Sequence, residues 1–260
     1  MNYQNQTALI TGASSGIGEA FARELASAGA NLVLVARRID RLEKLASEME
    51  GTLGPKVTAI AMDLTNENAV AALASQLETL GIDIDILVNN AGFGTSGVFV
   101  GEDLNRVTNE INLNVNALVS LSRTFLPGML KRKRGIIINV ASTAAFQPVP
   151  TMAVYGATKA FVLSFTEALW AETLNSGVKV IALCPGATST EFFEVAGSAG
   201  TGAKRESPLR VVTTVLTELA REKSRPSVVS GARNRVLSYL PRLVTRGFMS
   251  KLSMRAMKSD

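Results

Sequence analysis

Histidine is absent from this 260-residue chain. That removes the usual base of serine and cysteine hydrolases and the commonest metal ligand, so acid–base chemistry falls to tyrosine, lysine or carboxylates, and no metal is expected. Cysteine occurs once, at Cys184. A lone thiol forms no intrachain disulfide and reads as packing in a strand, which makes a reducing, cytoplasmic setting the default expectation. No apolar run approaches the roughly 18 residues that span a bilayer, and Met1 to Gln6 is polar where a secretory leader would be apolar. Charge is scarce as well: 19% of residues are charged against 47% hydrophobic, the balance of a compact enzyme rather than a disordered or fibrous chain. The length suits one α/β domain covering 1–260.

The net charge of +5 admits three anionic partners: nucleic acid, a membrane surface or a phosphorylated ligand. The run Lys131-Arg-Lys-Arg134 follows a helix end, where cations offset the C-terminal dipole, so it needs no nucleic acid to explain it. No nucleic-acid partner is expected. A phosphorylated ligand is favoured by the second strand.

Strands and helices alternate from the start. Thr7 to Thr11 is a short apolar strand, Gly12-Ala-Ser-Ser-Gly16-Ile-Gly18 follows, and Glu19 to Ala28 has helical periodicity. Strand, glycine loop and helix form the entry unit of a dinucleotide fold: glycines let the backbone turn and approach a pyrophosphate, whose charge meets free amides at the helix N-terminus. The spacing is G-x-x-x-G-x-G rather than the general G-x-G-x-x-G. The second strand, Asn31 to Ala36, ends without an acidic residue and runs into Arg37-Arg38. A strand-end carboxylate would bond a ribose 2′-hydroxyl and repel a 2′-phosphate, whereas arginine accepts the phosphate, so NADP(H) is expected over NAD(H). Arg37 is the first choice for that contact and Arg38 the second.

Leu42 to Met49 reads as a helix and Lys56 to Asp63 as a strand. Ile84 to Asn89 is the fourth strand and opens into Asn90-Ala91-Gly92. Asp103 to Leu130 is one long helical pattern, Gly135 to Ser142 a strand that ends in a hydroxyl, and Val154 to Ala171 a helix. Within that helix Tyr155 and Lys159 stand one turn apart on the same face. An ammonium beside a phenol favours phenolate, which would lower the tyrosine pKa toward the range of a general acid or base.

Asn114, Ser142, Tyr155 and Lys159, together with the glycine motif, resemble the catalytic tetrad and cofactor loop of the classical short-chain dehydrogenase/reductase family. The resemblance implies a doubly wound Rossmann fold, with a seven-stranded parallel sheet in the order 3-2-1-4-5-6-7 and helices on both faces. It implies hydride transfer with a nicotinamide cofactor, Tyr155 as proton donor, Ser142 bonding the carbonyl oxygen, Lys159 holding the ribose, and Asn114 anchoring a kinked helix and a proton-relay water. Asn112 is the fallback for Asn114. Gly12, Ser14, Ser15, Gly16, Ile17 and Gly18 would cradle the phosphates. Asp63-Leu64 would meet the adenine, with helix capping as the other reading of Asp63. Asn89-Asn90-Ala91-Gly92 resembles the family's N-N-A-G beside the ribose. Pro185-Gly186, Thr188 and Thr190 would hold the nicotinamide carboxamide.

Glu191 to Glu206 lacks clear periodicity and should be a lid over the substrate. Pro208 to Ala220 reads as a helix and Ser227 to Ser230 as the last strand. Residues 232–260 form a basic amphipathic tail, broken at Pro241 and Gly247. It can lie on an anionic membrane, cap the pocket or pack on a neighbouring subunit. Phe93, Phe146, Val149, Phe192 and Phe193 border the pocket and indicate an apolar carbonyl or alcohol substrate. The alternatives are a non-catalytic NADP(H)-binding sensor or scaffold, and a membrane-associated lipid-carbonyl reductase of 3-oxoacyl type. Apolar residues around more than one face of the helix bearing Phe161, Phe165 and Trp170 suggest a homodimer or homotetramer.

Overall fold

The computed structural model describes residues 2–197 and 205–258. Seven strands, β1 (Thr7–Thr11), β2 (Asn31–Ala36), β3 (Val57–Ala61), β4 (Ile86–Asn89), β5 (Gly135–Val140), β6 (Val178–Cys184) and β7 (Ser227–Val229), form one parallel sheet in the order β3-β2-β1-β4-β5-β6-β7. Helices α1 (Gly16–Ser27), α2 (Ile39–Leu53) and α3 (Ala69–Thr79) follow the first three strands. α4 (Leu104–Ile111) and α5 (Leu118–Arg132) lie between β4 and β5, and α6 (Ala153–Glu172) lies between β5 and β6. α7 (Phe192–Ala196) and α8 (Pro208–Leu219) precede β7, and α9 (Ala232–Tyr239) and α10 (Arg246–Lys258) form the tail.

The strands are apolar throughout because a parallel sheet is covered on both faces. Alternation along them divides the core. Ile10, Leu32, Leu34 and Val88 pack with Phe21, Leu25, Val211 and Val215 on one side, while Leu9, Val33, Val35 and Leu87 pack with Leu73, Leu77, Leu121 and Leu169 on the other. β1 pairs with both β2 and β4, so chain order reverses at β1 and a crevice opens beyond the strand ends there.

Three elements differ from the sequence expectations. The single helix from Asp103 to Leu130 is interrupted: α4 runs into a π-helical stretch, Asn112–Ala117, before α5. The wide turn sits where the Asn114 side chain leaves the helix to bond the loop after β4, and π turns of this kind concentrate at functional sites. The segment from Glu191 to Glu206 contains α7, and Glu206 is tied back by backbone bonds to Ala187 and Ser189; the part of the expected lid at 198–204, with Gly200 and Gly202, lies outside the described residues. In the tail, Pro241 falls in a 3₁₀ turn, but Gly247 lies inside the first turn of α10. First-turn amides lack intrahelical partners in any helix, so glycine there does not end it. Among the described residues no helix is long and apolar enough to cross a membrane.

Candidate active site

A cavity of about 530 Å³ runs along the crevice from Arg38 and Asp63, past the glycine loop, to Tyr155 and Phe193. Its floor is the turn after β1. Gly12 has φ +66°, and a Cβ there would lie 2.9 Å from the Asn90 side chain; a Cβ on Gly18 would lie 2.3 Å from the Gly12 carbonyl oxygen. Only glycine permits that approach. Ser15 is the N-cap residue of α1 and makes no side-chain cap bond, so the serine hydroxyls and helix amides face the cavity's anion end. Ile17 packs against the core behind it. The donor-rich cradle, kept close by its glycines, fits a dinucleotide pyrophosphate.

The β4 turn is locked onto this loop. The Thr11 hydroxyl accepts from the amides of Asn90 and Ala91 at 3.0 Å each, and Asn90 Nδ2 donates to the Thr11 carbonyl at 2.9 Å. Deeper, Asn89 Nδ2 donates to Asn139 Oδ1 at 2.8 Å, and Asn139 Nδ2 donates to the Thr166 hydroxyl at 3.0 Å. This buried polar chain ties β4, β5 and α6 in register, because each amide would be costly to bury unpaired.

The four expected catalytic side chains converge on the far end. Asn114 is 1% exposed; its Oδ1 accepts from the Phe93 amide at 3.1 Å, and its Nδ2 donates to the Phe93 carbonyl at 2.9 Å and to the Thr158 hydroxyl at 3.1 Å. Asn112 instead pairs with Asn116 at the surface, so the fallback has no path to the site. Ser142 Oγ accepts from the Ala144 amide at 3.1 Å and lines the same cavity as the Tyr155 phenol, whose acidity it raises. Lys159 is buried, donates to the Val140 carbonyl at 2.7 Å, and lies 5.9 Å from the Tyr155 ring centroid. A Cβ on Gly92 would lie 2.7 Å from Asn114 Oδ1 and 3.4 Å from Lys159 Nζ, so glycine at that position lets the loop close over both.

The electrostatics correct one expectation. Burial pushes the Tyr155 phenol up to about 12, against the opposing effect of Ser142 and with a further rise from Glu110. The Lys159 ammonium, which donates to the Val140 carbonyl and stands over the ring, does not offset that burial. Burial in turn lowers Lys159 to about 8, opposed by Cys184 and Glu110. Near neutral pH Tyr155 therefore holds a transferable proton beside a buried cation. Cys184 is pushed up to about 12 by burial, which keeps the lone thiol inert.

At the anion end both Arg37 and Arg38 line the cavity. Arg37 is exposed, whereas Arg38 turns inward and donates from Nη2 to the hydroxyls of Ser14 and Ser15 at 3.1 Å each. Arg38 and Arg41 also both hold Glu191, at 2.9 and 2.5 Å. Arg41 and Glu191 were not singled out from the sequence: the first looks like a solvated helix residue, and the second is about 150 residues away. Asp63 Oδ1 accepts from the amide and hydroxyl of Thr65 at 3.0 and 2.8 Å, so it caps a turn rather than α3, whose N-cap is Asn68; with Leu64 it lines the cavity. Pro185, Gly186, Thr188 and Thr190 line the opposite wall, and the Thr190 methyl lies over Gly16. Phe192 lies 5.1 Å from Tyr155, ring to ring. Phe93, Val149 and Phe193 also line the cavity; Phe146 does not and packs instead beneath α6.

A family profile described as short chain dehydrogenase matches residues 6–199. The 17-beta-hydroxysteroid dehydrogenase type 3 of Danio rerio is 37% identical over 188 residues, which cover 70% of this chain and 61% of that protein, so the chain spans less than two thirds of that relative. A short-chain dehydrogenase from Sphingobium yanoikuyae, solved in complex with NADPH, superposes with a TM-score of 0.80 at 36% identity and covers 94% of this chain and 95% of that one. A short chain dehydrogenase/reductase from Burkholderia phymatum, solved with NAD, superposes with a TM-score of 0.81 at 26% identity, covering 92% of this chain and 94% of that one. A nicotinamide cofactor is common to both solved structures, and the glycine cradle here has the shape to take one. With the sheet order, the glycine turn and a profile match over three quarters of its length, the chain belongs to the short-chain dehydrogenase/reductase family of oxidoreductases.

Proposed function

We propose that the chain is an NADP(H)-dependent oxidoreductase that interconverts an apolar carbonyl compound and its alcohol, with Tyr155 as the proton donor. One observation carries this reading: a single cavity joins a cradle of backbone and guanidinium donors to a phenol and a serine hydroxyl flanked by aromatic rings. When bound, the nicotinamide supplies the hydride that reaches the carbonyl carbon or is recovered from it. Tyr155 gives its proton to the carbonyl oxygen, and Ser142 holds that oxygen by a second hydrogen bond. Lys159 contributes a positive charge behind the phenol, which favours the tyrosinate left after transfer. Asn114 fixes the Phe93 loop and Thr158, and so the spacing between the loop after β4 and the Tyr155 turn. Phe192 and Phe193 keep the reacting end apolar.

A panel of hydroxysteroid, 3-oxoacyl and aryl ketones with NADPH oxidation as readout tests the proposal. Turnover of at least one apolar ketone is expected; uniform inactivity with tight NADPH binding would instead favour the sensor. In the same assay Arg38→Ala is expected to weaken NADPH binding by about 10-fold while leaving NADH within about twofold, because a charged hydrogen bond to phosphate is worth about 1.5–3 kcal/mol and partial exposure discounts it. Equal losses for both cofactors would refute the phosphate contact.

We also propose a homo-oligomer built on the helices that flank the site. Phe161 on α6 is 43% exposed while stacked on Phe165, and Leu104 and Ile111 on α4 are 75% and 40% exposed. Phe161 keeps that exposure with the described parts of α9 and α10 in place, so the spare apolar surface calls for a second copy. Light scattering at micromolar concentration should give at least a dimer, and Phe161→Glu should shift it to monomer.

A further inference from the structure

The segment from Thr188 to Phe193 crosses the cofactor crevice as a strap, tied on its outer side to Glu206 by the Ser189 amide and across the crevice by three side-chain contacts. The Thr190 methyl sits on Gly16, Phe192 lies against Tyr155, and between them Glu191 spans Arg38 and Arg41. The last is the only anion–cation fastening of the three. Arg38 simultaneously bonds the hydroxyls of Ser14 and Ser15 in the glycine turn. A carboxylate thus occupies a cluster of two guanidiniums and two hydroxyls at the end of β2.

We infer that Glu191 is a specificity-determining residue: its carboxylate fills the 2′-phosphate position of the anion site, and a phosphorylated cofactor must displace it from Arg38. The inference rests on the proposed preference for NADP(H). Two guanidiniums and one carboxylate leave one positive charge in excess, whereas a phosphate monoester brings about −1.5 to −2 charges and three acceptor oxygens. With the phosphate present, the pair of arginines is neutralised without Glu191, and a second anion beside it is repelled. A cofactor lacking that phosphate brings nothing to exchange, and Glu191 stays fastened. The side chains of Arg38, Arg41 and Glu191 remain 39%, 44% and 37% exposed, so the ion pairs are screened and exchangeable rather than a permanent brace. Arg41 and Arg38 together hold the Glu191 carboxyl below the usual carboxylate range, so the competitor is charged throughout the neutral range. Because Thr190 and Phe192 flank Glu191, its release loosens the strap next to Phe192, the residue that lies on the phenol, which couples the 2′-phosphate to access at the reacting end.

The test measures binding by calorimetry in wild type, Glu191→Gln, Arg38→Ala and the double variant, with adenosine 2′,5′-bisphosphate and adenosine 5′-monophosphate as probes. Glu191→Gln should tighten the bisphosphate by about 3–10-fold, the worth of two exposed ion pairs, and leave the monophosphate within about twofold. The gain should vanish in the Arg38→Ala background, since the competition needs that guanidinium. Unchanged or weaker bisphosphate binding in Glu191→Gln would overturn the inference, as would a gain that survives without Arg38 or appears equally for the monophosphate. Failure of the cofactor reading itself has a different signature: wild type and Arg38→Ala would then bind the bisphosphate alike. Glu191 lies at the surface, and differential scanning of Glu191→Gln against wild type confirms that both are folded.

Discussion

Tyr155→Phe should lower kcat by about 10²–10⁴-fold, the usual worth of a positioned general acid, while NADPH affinity stays within about twofold. The ring still packs against Phe192, and the backbone carbonyl of Tyr155 still accepts from Thr158, so the loss is confined to the hydroxyl that donates the proton. Retention of more than about a hundredth of wild-type kcat would remove Tyr155 from the chemistry. The pH profile is a second readout. With the phenol pushed up to about 12, carbonyl reduction should show no alkaline fall below pH 8 that is due to the tyrosine. A fall near pH 8 is expected from Lys159, whose cation is lost there.

Lys159→Met should cost more in combination, about 10²–10³-fold in kcat/KM for the missing charge together with weaker cofactor binding, since the ammonium lies between the Val140 carbonyl and the crevice. Unchanged NADPH affinity would remove it from the ribose. The same variant has a signature without any cofactor. Lys159 titrates at about 8 in the folded chain and at the ordinary 10.5 when unfolded. Between these values the unfolded chain binds more protons, so the lysine makes stability rise with pH from about 8 to 10.5; below pH 8 the full cost of the buried charge is present. Thermal denaturation of the ligand-free protein should show this rise in wild type and lack that contribution in Lys159→Met. Parallel curves for the two would mean that the ammonium is hydrated in the folded state.

Much of the architecture was legible because its causes are local. Thr7 to Thr11 followed by Gly12, Gly16 and Gly18 specifies strand, turn and helix within one short stretch of chain, and apolar runs such as Asn31–Ala36 and Val178–Cys184 report burial on both faces directly. Tyr155 and Lys159 were readable as a pair because four residues on a helix return to the same side. Between Asn114 and the fallback Asn112, the resemblance favoured the one the structure buries, though not the π turn that lets it leave the helix.

By itself, then, the sequence pointed to the family and the order of the sheet, both of which hold, and to the four side chains proposed for the reacting end. The strands, the helices and the Tyr155–Lys159 pair follow from periodicity that the linear chain displays, whereas the sheet order and the roles of the four side chains came only through the resemblance of their motifs to a known family. Only the tertiary structure decided which arginine turns inward, that Arg41 joins it, and that Glu191 reaches both across about 150 residues of chain. It also decided the sign of the tyrosine shift. Proximity along a helix suggested that the lysine would dominate, but desolvation outweighs a cation directed to the Val140 carbonyl, and desolvation depends on everything packed around the phenol rather than on any spacing within the chain.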